Sequence, residues 1–247
     1  MGLVALVYSV IVYLAFFASF LYLIAFLGGD SLAFLGLPKT INAGASIFPA
    51  APAALINLAL LLLFGVQHSV MARPSFKRVW TKVVPTSMER STYVLATVAV
   101  MVLLFAGWKP MPDIIWSVGG LWGGLLTALF YAGFGIVLLS TFMINHFELF
   151  GLQQGWFKFK SQNAKAPKFV VPLLYSVVRH PLHLGFLIAF WAAPHMTAGH
   201  LLFSAIWTAY IFVAIGYEER DLISVFGDKY HDYMAKTPSI LPFGAKK

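Results

Sequence analysis

Two short stretches carry most of the reactive side chains. Arg179-His180-Pro181-Leu182-His183-Leu184-Gly185 sets a guanidinium beside two imidazoles, and Tyr217-Glu218-Glu219-Arg220-Asp221-Leu222 sets two adjacent carboxylates beside another guanidinium. Between them, Phe186 to Gly216 is apolar and long enough to enter a bilayer, turn near Pro194 to Gly199 and return, which brings the two clusters together. Pro181 suits the first position of a helix, where its missing N–H costs nothing, and His180 becomes the cap residue. Helix starts attract anions and Arg179 adds a full charge, so a small carboxylate fits there; the plainer role for Arg179 is an anchor at the membrane interface. Glu218 and Glu219 close the last apolar run, where acids oppose the helix dipole, and residues set against a local preference are functional candidates. Pairing with Arg220 or with upstream lysines is the alternative. His183 stands one turn from His180 on the same face. A histidine pair can hold a metal, but no H-E-x-x-H pattern accompanies this one, and no metal is expected.

The elements that position these residues follow from composition. The chain is 60% hydrophobic and 11% charged with a mean hydropathy of +0.82, against about 25% charged residues in soluble domains. An all-α integral membrane bundle is expected, as one domain over residues 1–247. The net charge of +8 reads as orientation in the membrane rather than nucleic-acid binding, because the basic residues flank apolar runs. With no cysteine, disulfides, thiolate metal sites and a cysteine nucleophile are excluded, and any thiol chemistry belongs to a substrate.

Leu3 to Leu27 reads as a first span, and Ala53 to Val66 as part of a second that ends in Gln67, His68 and Ser69. The next loop carries Arg73, Lys77, Arg78, Lys82 and Arg90 against Glu89, which places it in the cytoplasm. Tyr93 to Gly107 is a third span. Ile114 to His146 would rise about 50 Å as one helix against a hydrocarbon core of about 30 Å, so part of it must lie along the surface or project from it. Gly119 with Gly123 and Gly120 with Gly124 suggest close helix packing. A second basic loop, Gly151 to Val178, leads into the hairpin and an amphipathic tail in which Tyr230 and Tyr233 either pack or bind. About six spans result, with both termini cytoplasmic and only Lys39 and Lys109 of the basic residues facing out. His68, Arg90, His146 and Glu148 fall at the inner ends of spans, gathered near the level of Arg179 and Glu219, where ionisable groups are functional hypotheses.

The RHP element, the hairpin, Glu218-Glu219-Arg220-Asp221-Leu222 and the trailing Phe226-Gly227-Asp228-Lys229-Tyr230-His231-Asp232-Tyr233 resemble the isoprenylcysteine carboxyl methyltransferase group, with His183 where that group has a tyrosine. Gln67-His68-Ser69-Val70-Met71-Ala72-Arg73-Pro74, Glu89-Arg90-Ser91-Thr92-Tyr93 and Asn145-His146-Phe147-Glu148-Leu149-Phe150-Gly151-Leu152 resemble the NnrU-like membrane proteins, the bacterial methanethiol S-methyltransferases among them. The resemblance covers about residues 62–243. It implies a bacterial-type inner membrane enzyme that uses S-adenosylmethionine to methylate a small thiol, methanethiol to dimethyl sulfide. The implied cofactor residues are Tyr175, Arg179, His180, His183, Gly185, Tyr217, Glu218 and Glu219, with the sulfonium on an aromatic face such as Tyr175 or Tyr217. Arg90 is placed on the substrate side. Since a simple alkanethiol is mostly protonated at neutral pH, a base helps; His146, His68 and Glu148 are the candidates, in that order. A larger lipid-like acceptor and a non-enzymatic accessory role in nitrogen-oxide respiration are the alternatives. Nothing fixes the oligomeric state.

Overall fold

In the computed structural model, residues 1–43, 48–163 and 168–242 are described; Lys165 of the second basic loop lies outside them. Among the described residues, five helices are long and apolar enough to cross a membrane: α1 (Gly2–Gly28), α2 (Ala50–Ala72), α4 (Thr86–Gly107), α5 (Gly120–Ile144) and α10 (Ala198–Phe226). Short helices fill the joints: α3 (Pro74–Trp80), α6 (His146–Leu149), α7 (Leu152–Phe159), α8 (Leu174–Val177) and α9 (Pro181–Trp191), with α11 (Asp228–Lys236) in the tail. A two-stranded sheet pairs β1 (Ile114–Ser117) with β2 (His195–Thr197). The spans leave rows of large apolar side chains outward, such as Leu3, Val7 and Leu14 on α1 and Leu55, Leu62 and Val66 on α2. In water this would be unstable; in lipid it costs nothing. The protein is an all-α multi-pass membrane bundle.

Two details differ from the sequence reading. The sixth span shrinks to α9, whose 11 residues rise only about 16 Å, half of a hydrocarbon core. It stops at Ala192 because Pro194 cannot continue a helix and biases the residue before it towards extended backbone. The over-long Ile114–His146 run is not one helix. Its β-branched start forms β1, Gly120 at φ +59° breaks the chain, and Asn145 in extended backbone separates α5 from α6.

The chain divides into two compact units. The first comprises residues 1–115, 146–165 and 197–203; here α1 packs on α4 and α7, and α2 packs on α4. Its core centres on fully buried Trp108, whose Nε1 donates to the Ile41 carbonyl at 3.1 Å and whose ring meets Phe26 edge-on. Asn57, polar within a span, is completely buried yet satisfied. Its side-chain amide donates to the Lys109 carbonyl at 2.7 Å and accepts from the Lys109 N–H at 2.8 Å, which caps the end of α4.

The second unit comprises residues 116–145, 166–196 and 204–247, and its main contact is α5 against α9. The two backbones touch at Gly133 and Gly185. A Cβ on Gly133 would lie 2.6 Å from the Gly185 carbonyl oxygen, and one on Gly185 would lie 2.7 Å from that of Gly133. The small-residue pairs read from sequence are placed elsewhere: Gly119 caps α5, and a Cβ on Gly124 would meet nothing within 4 Å. Gly133→Ala should therefore lower the unfolding midpoint in detergent through overpacking worth about 1–3 kcal/mol. Gly124→Ala should leave it unchanged or raise it, because alanine favours the helix by up to about 1 kcal/mol.

Candidate functional site

The polar cluster of the second unit is organised by one carboxylate oxygen. Glu219 Oε1 accepts from Arg179 Nε at 2.9 Å, Arg179 Nη2 at 2.7 Å and His180 Nε2 at 2.9 Å. Arg179 Nη1 donates to the carbonyls of Met234 and Thr237. Four of its five N–H groups are thus spent inside the protein, and Arg179 ties α10 to the tail rather than presenting an open guanidinium. The tail closes the frame further. Arg179 N–H donates to the Pro238 carbonyl at 2.9 Å, and His180 N–H to the Ser239 carbonyl at 3.0 Å. Tyr233 Oη donates to the Tyr175 carbonyl at 2.5 Å, and the Phe169 ring contacts both Tyr230 and Tyr233.

On the other side of His180 the cluster is less committed. His180 Nδ1 lies 3.5 Å from Glu218 Oε2, and His183 Nδ1 lies 3.9 Å from the same oxygen. Glu218 is 47% exposed, whereas His180 is 3% exposed. Burial works against a charged His180, but the Glu218 and Glu219 carboxylates more than offset it and raise its pKa above the ordinary imidazole value. Burial likewise raises the phenols of Tyr175 and Tyr230, and pushes Tyr233 up to about 12. Tyr217 is exposed, with the Arg220 guanidinium 4.9 Å from its ring centre. Gly185 stands apart from these groups, at the close contact with Gly133.

The three upstream motifs meet one another in the first unit. His68 on α2 is bonded through its ring to Tyr93 Oη at 2.7 Å and Thr97 Oγ1 at 3.3 Å, both on α4. The Arg90 guanidinium lies 5.4 Å from the Tyr93 ring centre and its Nε donates to the Leu149 carbonyl at 2.9 Å. Gly151, at φ +88°, lets the loop after α6 lie against Ser91; a Cβ there would fall 2.4 Å from Ser91 Oγ. His146 is 2% exposed, with Nε2 2.8 Å from Tyr13 Oη and rings of Phe147 and Phe150 edge-on to it. Glu148 is exposed. Tyr13, Tyr93 and Thr97 were not singled out by sequence. Tyr13 stands in an apolar run with nothing local to distinguish it, while Tyr93 sat inside a recognised motif and was legible there.

Burial lowers the His146 pKa below the ordinary imidazole value. The unfolded chain therefore takes up this proton first as acid is added. The stability that neutral His146 contributes is complete above the unfolded pKa of about 6.5 and is lost as pH falls towards the lower folded value. Between about pH 8 and pH 5, wild-type protein should lose more of its thermal midpoint than His146→Gln in the same detergent. Equal losses would place the acid sensitivity elsewhere.

The chain is 48% identical to methanethiol S-methyltransferase 2 of Bradyrhizobium diazoefficiens over 97% of its own length and 90% of that protein. It is 50% identical to methanethiol S-methyltransferase 1 of the same organism, over 97% of this chain and 82% of that one. The methanethiol S-methyltransferase of Mycobacterium tuberculosis is 47% identical over 96% of both chains. No family model matches. No solved structure matches.

Proposed function

The chain belongs to the methanethiol S-methyltransferase family, and from that premise we propose that it transfers a methyl group from S-adenosylmethionine to methanethiol, giving dimethyl sulfide. The observation that carries the reading is near-full-length identity of close to half to several proteins of that one name.

When bound, S-adenosylmethionine supplies an electrophilic methyl group on a sulfonium cation. The residue set fits such a ligand: Arg179 is paired with Glu219, His180 stands between Glu219 and Glu218, Glu218 keeps surface open, and the Tyr217 ring is exposed. Glu218, His183 and Tyr217 are proposed to meet the cofactor directly. Tyr175, Arg179, His180 and Glu219 hold the shape of the site, and Gly185 serves it by letting α9 approach α5. Tyr217 or Tyr175 would offer a ring face to the sulfonium. Aligning donor and acceptor and excluding water supplies much of such a displacement. His146, His68 and Glu148 are the proposed proton acceptors, in that order. His146 leads because burial keeps its imidazole in the neutral form. Arg90 is proposed on the acceptor side.

Membranes containing the chain, given methyl-labelled S-adenosylmethionine and a panel of thiols, should release labelled dimethyl sulfide with methanethiol and less product with bulkier thiols. Labelling of an isoprenylcysteine acceptor instead, or of no acceptor, would refute the assignment. Glu218→Gln should cut turnover at least ten-fold.

A cofactor made in the cytoplasm also requires sidedness, and the proposal includes an inner-membrane location with both termini inside. Because the chain has no cysteine, Lys160→Cys and Lys109→Cys can be labelled in intact cells with an impermeant maleimide. Lys109→Cys should react and Lys160→Cys should not; reaction on the same side would overturn the orientation.

A further inference from the structure

His146 leads the proton acceptors, yet it is only 2% exposed, with the rings of Tyr13, Phe147 and Phe150 set edge-on to it. A thiol, larger than a water molecule, finds almost no surface of this imidazole to touch. Tyr13 is the half-buried member of the pair. Its Oη lies 2.8 Å from His146 Nε2 and, among the described residues, makes no other hydrogen bond. A phenol has one proton to place. Accepting from an Nε2–H would leave that proton without a partner, whereas donating it to the Nε2 lone pair satisfies both groups. The neutral ring then carries its own proton on Nδ1.

We propose that Tyr13 is a catalytic residue whose hydroxyl meets the thiol and relays the thiol proton to His146. The inference rests on the thiol-methyltransferase reading and adds which group touches the acceptor. As the S–H bond breaks, its electron pair stays on sulfur and its proton passes to Tyr13 Oη, while the proton already on Oη passes to His146 Nε2. Tyr13 ends as it began, an uncharged phenol, and the charge rests on the imidazolium. The sulfur pair forms the new S–C bond to the donated methyl group, the old sulfonium–methyl bond breaks with its pair left on the donor sulfur, and the imidazolium returns its proton to water. No oxidation state changes.

The surroundings suit a one-carbon thiol. The ring centres of Phe16, Phe17 and Phe150 lie 6.5, 6.3 and 6.2 Å from that of Tyr13, an apolar setting that keeps water from competing for the hydroxyl. On the elements packed against this pair, other titratable groups are engaged elsewhere or exposed. Tyr8 Oη is bonded to Thr92 Oγ1 at 3.0 Å, His68 to Tyr93, Arg90 to the Leu149 carbonyl, and Glu148, Lys158 and Lys160 are exposed.

Tyr13→Phe keeps the ring and removes only the hydroxyl. In membranes containing the full chain, kcat for methanethiol should fall at least ten-fold at neutral pH, the low end for losing a general base, with KM and S-adenosylmethionine affinity unchanged. Because a thiolate needs no proton acceptor, the loss should shrink as pH rises through the thiol's own ionisation. Tyr13→Phe combined with His146→Gln should be no slower than the slower single variant, since both act on one proton. A measurement on the unaltered chain guards against a variant that fails to fold: kcat in mixtures of light and heavy water should curve with deuterium fraction, because two protons move together. A full rate in Tyr13→Phe, a loss constant across pH, a change in KM alone, multiplying losses in the double variant, or a straight line against deuterium fraction each overturns the relay and leaves the methyltransferase reading intact. An unaltered chain that methylates no thiol removes that reading, and the relay with it.

Discussion

The second unit depends on a single oxygen atom. Glu219 Oε1 takes three N–H donors from two residues adjacent in sequence, and without it a guanidinium that is only 10% exposed would be left uncompensated. Breaking such a pair costs about 3–5 kcal/mol because the remaining charge stays buried. Everything polar nearby is arranged around this constraint. The tail carbonyls of Met234 and Thr237 absorb the donors that Glu219 cannot reach, and the backbone of Pro238 and Ser239 receives the N–H groups that open α9. A tail that looks like an appendage in sequence is therefore one wall of the site.

The same constraint explains how α9 can be short. A helix of 11 residues is marginal on its own, yet this one is fixed at its start by the Arg179–Glu219 pair and along its length by backbone contact with α5 at Gly133 and Gly185. Glycine at both positions removes the side chains that would hold the axes apart. The gain is precise placement of His180 and His183, one turn apart, opposite Glu218.

Much of this was legible. Apolar run length gave about six spans, of which five are long helices and the sixth is the short α9, and the meeting of the RHP element with Glu218 and Glu219 followed from a hairpin between them. What was not legible depended on distances. Sequence showed that Arg179 and the carboxylates come together but not that Arg179 would spend itself on Glu219 and the tail, because hydrogen-bond allocation is decided by angles within a cluster. Gly185 reads as part of a ligand motif, while its close backbone contact with Gly133, far away in the chain, leaves no sequence signal. The upstream motifs were legible as a set, yet Tyr13, the partner of His146, sits in an apolar span where nothing marks it.

The two units handle polarity in opposite ways, and this bears on what each can bind. In the first, imidazoles are paired with phenols and a hydroxyl: His68 with Tyr93 and Thr97, His146 with Tyr13. Neutral pairs are the inexpensive way to keep polar groups at the inner ends of spans, since a full charge at depth carries a far larger desolvation cost. In the second, full charges are used: the Arg179 guanidinium is paired with Glu219, and the His180 imidazole stands between Glu219 and Glu218, whose carboxylates raise its pKa. Burying such groups is tolerable only because each is matched by an opposite charge or a hydrogen-bond partner at fixed distance. Glu218 is the member that keeps surface open, so it is the carboxylate of this cluster that a cation reaching the site would meet, with Coulomb attraction that water screens less than at a free surface.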